Sequence, residues 1–429
     1  MRRRAYGALA VNHVSAAKLA QTHRGEAVMV GTDIGKFEVR AICRWAKGEW
    51  ERPWRVKNPS QLAELVAVLQ ELRQGRELAV AMEPSGTYGD ALRQALHDAH
   101  IEVQRVSTKA THDYAEVFDG VPSQHDGKDA AVVAELAAYG KGSVWEYQAS
   151  SAWEQELKYW VDWMEGQRRI LQMWLGRIEA LLARHWPEAT RLLKVSSATL
   201  LKAMSCYGGP AALAADAEAA ARLARWGGKY LRADKVTELL ASARSSTGVR
   251  QGAWEVRQLR DYATQAFEAR RAFRHSQRQL RRLAEGHTVL QAQGRAVGVP
   301  TACVLWTCVG DPRDYDSGGA YRKAMGLNLV ERSSGTYQGQ LRISKRGHPR
   351  SRQWLYFAAL RLVQKAGVKR WFHAKKARDG QQGKRALVAV MRRLVLALHR
   401  VAVHGQTFDA RRLFPAEAQA RSKPSASVP

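Results

Sequence analysis

The chain is 429 residues long and 45% apolar, has 14 Trp, and sets 68 Lys+Arg against 40 Asp+Glu for a net charge of +28. These values exclude wholesale disorder and, at roughly 100–200 residues per domain, predict two or three domains with real cores. Four Cys without a CxxC pair exclude a disulfide scaffold or zinc ribbon, and no apolar run reaches the ~18 residues that span a bilayer, so a cytosolic setting is expected.

The first 25 residues hold five basic and no acidic side chains and are interrupted by Asn12, His13 and Ser15. They read as a mobile basic arm rather than a signal peptide. Residues 26–150 then read as mixed α/β. EAVMVGTDIG is an apolar run closed by Gly, FEVRAICRWA alternates, and WERPWRVKN is a third extended segment in which Pro53 predicts an edge position or a bulge. NPSQLAELVAVLQELRQG opens on Asn58-Pro59 and has helical spacing through Leu62, Leu65, Leu69 and Leu72. ELAVAMEPSG follows as a fourth strand, YGDALRQALHDAH as a helix, IEVQRVS as a fifth strand, and a closing helix starts near Asp126. Three strands followed by alternating helices and strands is the order of an RNase H-like (RuvC-like) domain.

Long helices are predicted over 151–289. Leu157, Trp160, Met164, Gln167, Leu171, Trp174, Ile178 and Leu181 form one seam. Leu259, Tyr262, Ala266, Ala269, Phe273, Ser276, Leu280 and Leu283 form another, which implies an antiparallel helical pair or a coiled-coil contact between protomers. Residues 190–250 between them are an Ala-rich helical insert broken at Gly208-Gly209 and Gly227-Gly228. A compact, mainly helical domain is expected over 290–413, and 414–429 as a disordered tail.

Charge is unevenly distributed. Residues 26–150 carry 14 Lys+Arg against 19 Asp+Glu, whereas 286–429 carry 26 against 7. A net of +19 interleaved with Trp354, Tyr356, Trp371 and Phe372 places nucleic-acid binding mostly in the second half.

Two groups of residues carry chemistry. Asp33 follows one predicted strand and Glu83 its parallel neighbour, so both reach one rim of the sheet; Asp126 and Asp129, three apart, share a face of the closing helix. Four converging carboxylates repel one another unless cations lie between them, and Mg²⁺, hard and oxygen-seeking, fits that need in phosphodiester chemistry. Taken singly, Asp33 reads equally as a strand end and Asp126 as a helix cap. The second group is GLNLVERSSGTYQGQLRISKRGHPRSRQWL. It sets Ser333 and Ser334 before Gly335 in a Gly-marked loop beside Arg332, Arg342, Lys345, Arg346, Arg350 and Arg352. Such a loop could bring a serine hydroxyl to a DNA phosphate with cations to bear the developing charge, or it could be an ordinary turn whose cations merely hold phosphate.

Together the two groups resemble the insertion-sequence transposases that join a RuvC-like DEDD domain to a second, serine-bearing transposase domain, the family guided by a bridge RNA. GTDIGK, AMEPSGTYG and HDGKDA resemble its three acidic motifs, and GL…SSG…G…ISKRGH…R its serine motif. AVGVPTACVLWTCVGDPRDY resembles the segment opening its second domain, and KRALVAVMRRLVLALHRVAVHGQTFD that domain's closing helix. Gln124-His125 stands where the family usually has Lys-Thr, and Val297-Gly298-Val299-Pro300 where it has Pro-Gly-Ile-Gly.

The resemblance implies a DNA transposase or recombinase, nucleoid-associated, with Asp33, Glu83, Asp126 and Asp129 as its Mg²⁺-holding catalytic set and Ser334 as its nucleophile. It further implies donor and target duplex DNA as substrates, a noncoding guide RNA as partner, and a dimer or tetramer whose active site combines two protomers. A RuvC-like nuclease in which Ser334 is only a turn residue, and a non-catalytic nucleic-acid-binding protein descended from a transposase, are the alternative readings.

Overall fold

The computed structural model describes residues 7–84, 86–120, 125–147, 150–331, 339 and 341–414. It divides into two compact units, residues 1–149 and 150–429.

The first unit is built on a seven-stranded sheet of β1 (Leu9–Ala10), β2 (Val28–Ile34), β3 (Glu38–Trp45), β4 (Trp54–Lys57), β5 (Leu78–Met82), β6 (Glu102–Arg105) and β7 (Ser143–Val144), ordered β1-β4-β3-β2-β5-β6-β7. Neighbours β2, β3 and β4 pair antiparallel, as short connections allow, while β5 and β6 join parallel to β2 and to each other through helical crossovers. The helices are α1 (Ala16–Thr22), α2 (Leu62–Arg73), α3 (Asp90–Asp98), α4 (Thr108–Asp119) and α5 (Asp126–Leu136). This mixed α/β sheet is the RNase H-like arrangement read from the sequence, followed by a mostly helical remainder.

Three features differ from the expectation. Residues 7–25 are not a mobile arm: β1 pairs with β4, Ser15 caps α1, and Val11 and Ala16 are buried in the sheet's core. Apolar side chains in an otherwise basic segment account for this, since exposed they would lose their burial free energy. Pro53 lies before β4 rather than inside it, so its missing N–H costs no ladder bond; its carbonyl accepts from Leu9 N at 2.8 Å, and β4 is an inner strand. Helix α4 is not among the elements read from the sequence; of its twelve residues only Thr111 is buried.

Gly31 fixes how closely α5 lies on the sheet. A Cβ there would stand 2.0 Å from the Ala130 carbonyl oxygen and 2.7 Å from the Ala134 Cβ. Backbone cannot yield as a side-chain tip can, so Gly31→Ala should lift α5 and cost about 2–3 kcal/mol, with Gly31→Val unfolding the unit. A thermal melt of the variants checks this; an unchanged midpoint for Gly31→Ala would show that α5 can shift without loss.

The second unit opens with α6 (Ala152–His185), continues through α7 (Pro187–Leu192), α8 (Ala198–Tyr207), α9 (Pro210–Ala215), α10 (Ala219–Gly227) and α11 (Ala233–Arg244), and returns along α12 (Ala253–Leu283). Helices α6 and α12 pack antiparallel within the chain: His185 approaches Glu255 at one end, and Trp153 Nε1 donates to the Leu283 carbonyl at the other. The buried seam of α6 keeps the predicted Leu157, Met164, Leu171 and Ile178, while its alternate positions fall one residue later than predicted, on Val161, Leu175 and Leu182. The predicted seam would have buried the Gln167 amide, whereas the observed one leaves Trp160 and Trp174 half-buried at its edge. In α12 the seam includes Ser276, whose hydroxyl donates to Ala272 O at 2.9 Å and is therefore satisfied.

Then follow α13 (Thr288–Val297), α14 (Val299–Val309), α15 (Gly318–Ala324), β8 (Leu329–Val330), β9 (Arg342–Ile343), α16 (Pro349–Leu362), α17 (Ala366–Arg378), α18 (Gly383–His404) and α19 (Ala410–Leu413). Their core is continuous with Leu157, Val161 and Met164 of α6 and Leu280 of α12, so no core boundary falls at residue 290. Glu165, 2% exposed, ties the two regions together: it accepts from Trp354 Nε1 at 2.6 Å and from Arg168 Nη2 at 3.2 Å.

Candidate active site

Asp33 is the penultimate residue of β2, paired across the antiparallel ladder with Arg40. Thr32, immediately before it, registers with Met82, the last residue of the parallel β5. Glu83 therefore follows β5 at the level of Asp33, as parallel strands that end together require. Asp126 and Asp129 occupy the first turn of α5, where carboxylates complement the partial positive charge of the helix start. His125, not Asp126, is the cap, its Nδ1 accepting from Gly127 N at 3.1 Å. Both aspartates are thereby released from the capping role the sequence left open for Asp126. Because α5 lies tight on β2 at Gly31, its first turn comes to the same edge of the sheet as Asp33.

Electrostatics show the four acids acting on one another. Asp33 is pushed up to about 6, first by burial and then by Asp129, Asp126 and Glu83; Asp129 is raised by burial and then by Asp126 and Glu83. Two cations border the acids. Arg40 Nε stands 3.8 Å from Asp126 Oδ2 but gives its Nη2 to Glu38 at 2.8 Å. Lys128, 2% exposed, reaches Asp119 at 2.6 Å and weakly lowers Asp129.

Among the described residues no group of three or more His, Cys, Asp or Glu side chains is set as a finished metal cage. The donor chemistry nonetheless fits a hard divalent cation: four carboxylates, two of them raised by burial and then by their acidic neighbours, supply oxygen ligands and gain when a cation lies between them.

Thr111, Arg40 and Lys128 escaped sequence reading. Thr111 is buried on α4; its hydroxyl donates to Glu83 Oε1 in a short bond and also contacts Thr108 O at 3.0 Å. Its donation fixes the Glu83 carboxylate. Thr111→Val should weaken divalent-cation binding about 10-fold, the usual cost of removing an outer-shell partner, with little change in melting temperature; calorimetric titration with Mg²⁺ measures it. An unchanged affinity would mean that Glu83 is held by the backbone alone. The one sequence signal for Thr111 was its place on the segment that follows β6, at the same rim.

In the second unit, Arg332, Ser333 and Ser334 lie outside the described residues. The hairpin flanking them is set by Leu329↔Ile343 and Val330↔Arg342 pairing and by Ser344 N donating to Asn328 O at 2.8 Å. Gly347, at φ +148°, is pressed against the chain before β8: a Cβ there would stand 2.3 Å from Ala324 O. Of the other predicted cations, Arg342, Lys345 and Arg346 are exposed. Arg350 instead pairs with Asp162 at 2.6 Å, and Arg352 donates from Nη1 to Met325 O at 3.2 Å and Gly347 O at 2.9 Å, so both have structural duties.

Among the described residues no helix is long and apolar enough to cross a membrane. Residues 30–187 match a family model described as a transposase, of the DEDD type of IS110, and residues 292–376 match one described as the transposase IS116/IS110/IS902 family. The chain is also similar to the insertion element IS110 uncharacterized 43.6 kDa protein of Streptomyces coelicolor. The two are 23% identical over 395 residues, which covers 90% of this chain and 96% of that one.

Proposed function

The chain carries both transposase domains of the IS110 family, and from that premise we propose that it is an RNA-guided DNA recombinase that cuts and rejoins DNA through a serine–phosphate link. The observation that carries the reading is that Asp33 and Asp129 are both raised, first by burial and then by neighbouring carboxylates, at a sheet edge shared with Glu83 and Asp126, a charge arrangement suited to holding Mg²⁺ against a phosphodiester. Bound Mg²⁺ would supply charge neutralisation at the phosphate under attack.

This chain's own residues do the rest. Ser334 Oγ attacks phosphorus; the Oγ–P bond forms, the P–O3′ bond breaks, and the hydroxyl proton ends on the leaving 3′-oxygen. The phosphoserine link keeps the bond energy, so the reverse attack by a new 3′-hydroxyl rejoins strands without ATP. Arg342 in β9 and Lys345 and Arg346 just after it, all exposed, are suited to hold the flanking phosphates. The guide RNA would read sequence by base pairing, with the basic second unit holding backbone. A homo-oligomer is proposed, since the acids and the serine lie in different units of the chain.

The test is to incubate the full chain with supercoiled DNA bearing its element's ends and Mg²⁺, together with the RNA that survives a high-salt wash during purification from its own host. Products are resolved under denaturing conditions. Protein covalently attached to a DNA 5′ end is expected, together with one dominant RNA encoded beside the gene. Free nicked DNA without an adduct would instead establish the nuclease reading, and no cutting at all the binding-protein reading.

A further inference from the structure

A second cluster of cations lies in the second unit. Helices α15, α17 and α18 border an open, solvent-facing cavity of about 360 Å³ lined by Arg322, Trp371, Lys375, Arg378, Arg392 and Arg393. Helical spacing brings the first three there, since Trp371, Lys375 and Arg378 are four and three apart on α17, and the adjacent Arg392 and Arg393 line it from α18.

Two of these side chains are oriented by backbone carbonyls. Arg392 Nε donates to Leu327 O at 3.0 Å; Arg393 Nη1 donates to Leu413 O at 2.7 Å, and its guanidinium lies 4.5 Å over Trp371. Asp379 answers Lys375. Arg322 has no side-chain partner among the described residues, and its Nε is buried without one. Arg392 is held below the usual guanidinium range by burial and then by Arg322, two like charges facing one space. Half-buried arginines that repel one another, as Arg322 and Arg392 do, are expected where a ligand brings negative charge. Arg378, Arg392 and Arg393 also lie beyond residue 376, where the matched family model ends.

We infer that this cavity binds a phosphodiester of the nucleic-acid backbone, with Arg322 and Arg392 taking its non-bridging oxygens and Arg378 the approach to it. The site is near the serine segment in the chain, since Leu327, the carbonyl partner of Arg392, lies two residues before β8. The inference rests on the reading above only for the class of ligand.

The experiment measures binding of the full chain to a labelled duplex DNA and to a single-stranded RNA of equal length, across a salt series, for the wild type, Arg322→Gln and Arg378→Gln. Each variant should weaken binding about 5–10-fold in at least one arm and flatten the slope of log affinity against log salt by about 0.7–0.9, one phosphate contact. The arm in which the slope falls assigns the phosphate to DNA or to RNA. Arg378 is exposed, so its variant keeps the test valid if Arg322→Gln melts early. Arg322→Lys should restore most of the slope, because charge is retained.

Unchanged slopes in both arms, with normal melting, overturn the inference, as does a wild-type chain that binds neither probe. Cleavage is not read here, so the two proposals fail separately. A covalent adduct with unchanged slopes sinks this one alone, and altered slopes without an adduct sink only the recombinase reading.

Discussion

Ser334→Ala should abolish the covalent protein–DNA adduct, a loss of at least ~10³-fold set by the detection floor, whereas Ser333→Ala should retain it. The distinction is chemical. An alanine has no oxygen to form the bond to phosphorus, and no neighbouring hydroxyl can take over without the phosphate moving, because in-line attack tolerates only small displacements of the reacting atoms. Removal of Mg²⁺ should have the same outcome in the wild type, through loss of charge neutralisation rather than of the nucleophile. The two are separable by binding: the Ser334→Ala chain should still take up its DNA and RNA with wild-type salt dependence, since it loses no charge. Continued strand nicking by Ser334→Ala, with free ends, would assign the chemistry to the carboxylates alone. An adduct lost in Ser333→Ala but kept in Ser334→Ala would move the nucleophile by one residue.

How much of this site could be read in the sequence depended on which forces set each part. Asp33 and Glu83 were legible because they extend strongly apolar runs, and parallel pairing of β2 and β5 brings strand ends together whatever the details. Asp129 was legible from its spacing to Asp126. Thr111 was not, because a single buried hydroxyl on a polar helix leaves no periodic signal. Lys128 was not either: a lysine between two catalytic-looking acids reads as solvated, and only packing of α5 shows it buried against Asp119.

The long helices show the same limit at another scale. Their existence followed from apolar spacing, which left an intrachain pair and a contact between protomers open, and in α6 it gave every second seam position; the alternate positions fell one residue later, on Val161, Leu175 and Leu182, a difference that spacing alone does not resolve. In the serine segment, charge composition singled out six cations. Tertiary contacts gave two of them other duties: Arg350 to Asp162, and Arg352 to the carbonyls of Met325 and Gly347.

Asp33→Asn should produce opposite changes in activity and stability. Strand cleavage should fall by at least ~10³-fold, since an amide cannot supply the negative ligand oxygen that holds a divalent cation against the phosphate. Melting temperature in the absence of divalent cations should rise at pH 8. The sign follows from Asp33 being pushed up to about 6 in the folded chain from an ordinary value of 3.8. The folded state binds that proton more tightly than the unfolded one, so Asp33 costs nothing below about pH 4, and its penalty grows as pH rises through 6 and is complete above it. A shift of about two pH units corresponds to at most ~3 kcal/mol, and partial exposure of the carboxylate reduces this to about 1–2 kcal/mol.

The variant should therefore melt about 2–4 °C above the wild type at pH 8 and level with it at pH 4. Adding Mg²⁺ should raise the wild type's midpoint and leave the variant's nearly unmoved, because the cation removes the repulsion that the substitution has already removed. The same titration makes wild-type cleavage fall as pH drops through about 6, and lower still at high Mg²⁺, where the cation competes with the proton. A variant that is less stable than the wild type at pH 8 would mean that the Asp33 carboxylate is already compensated within the protein. The four acids would then be a structural cluster, with no charge deficit for a cation to fill.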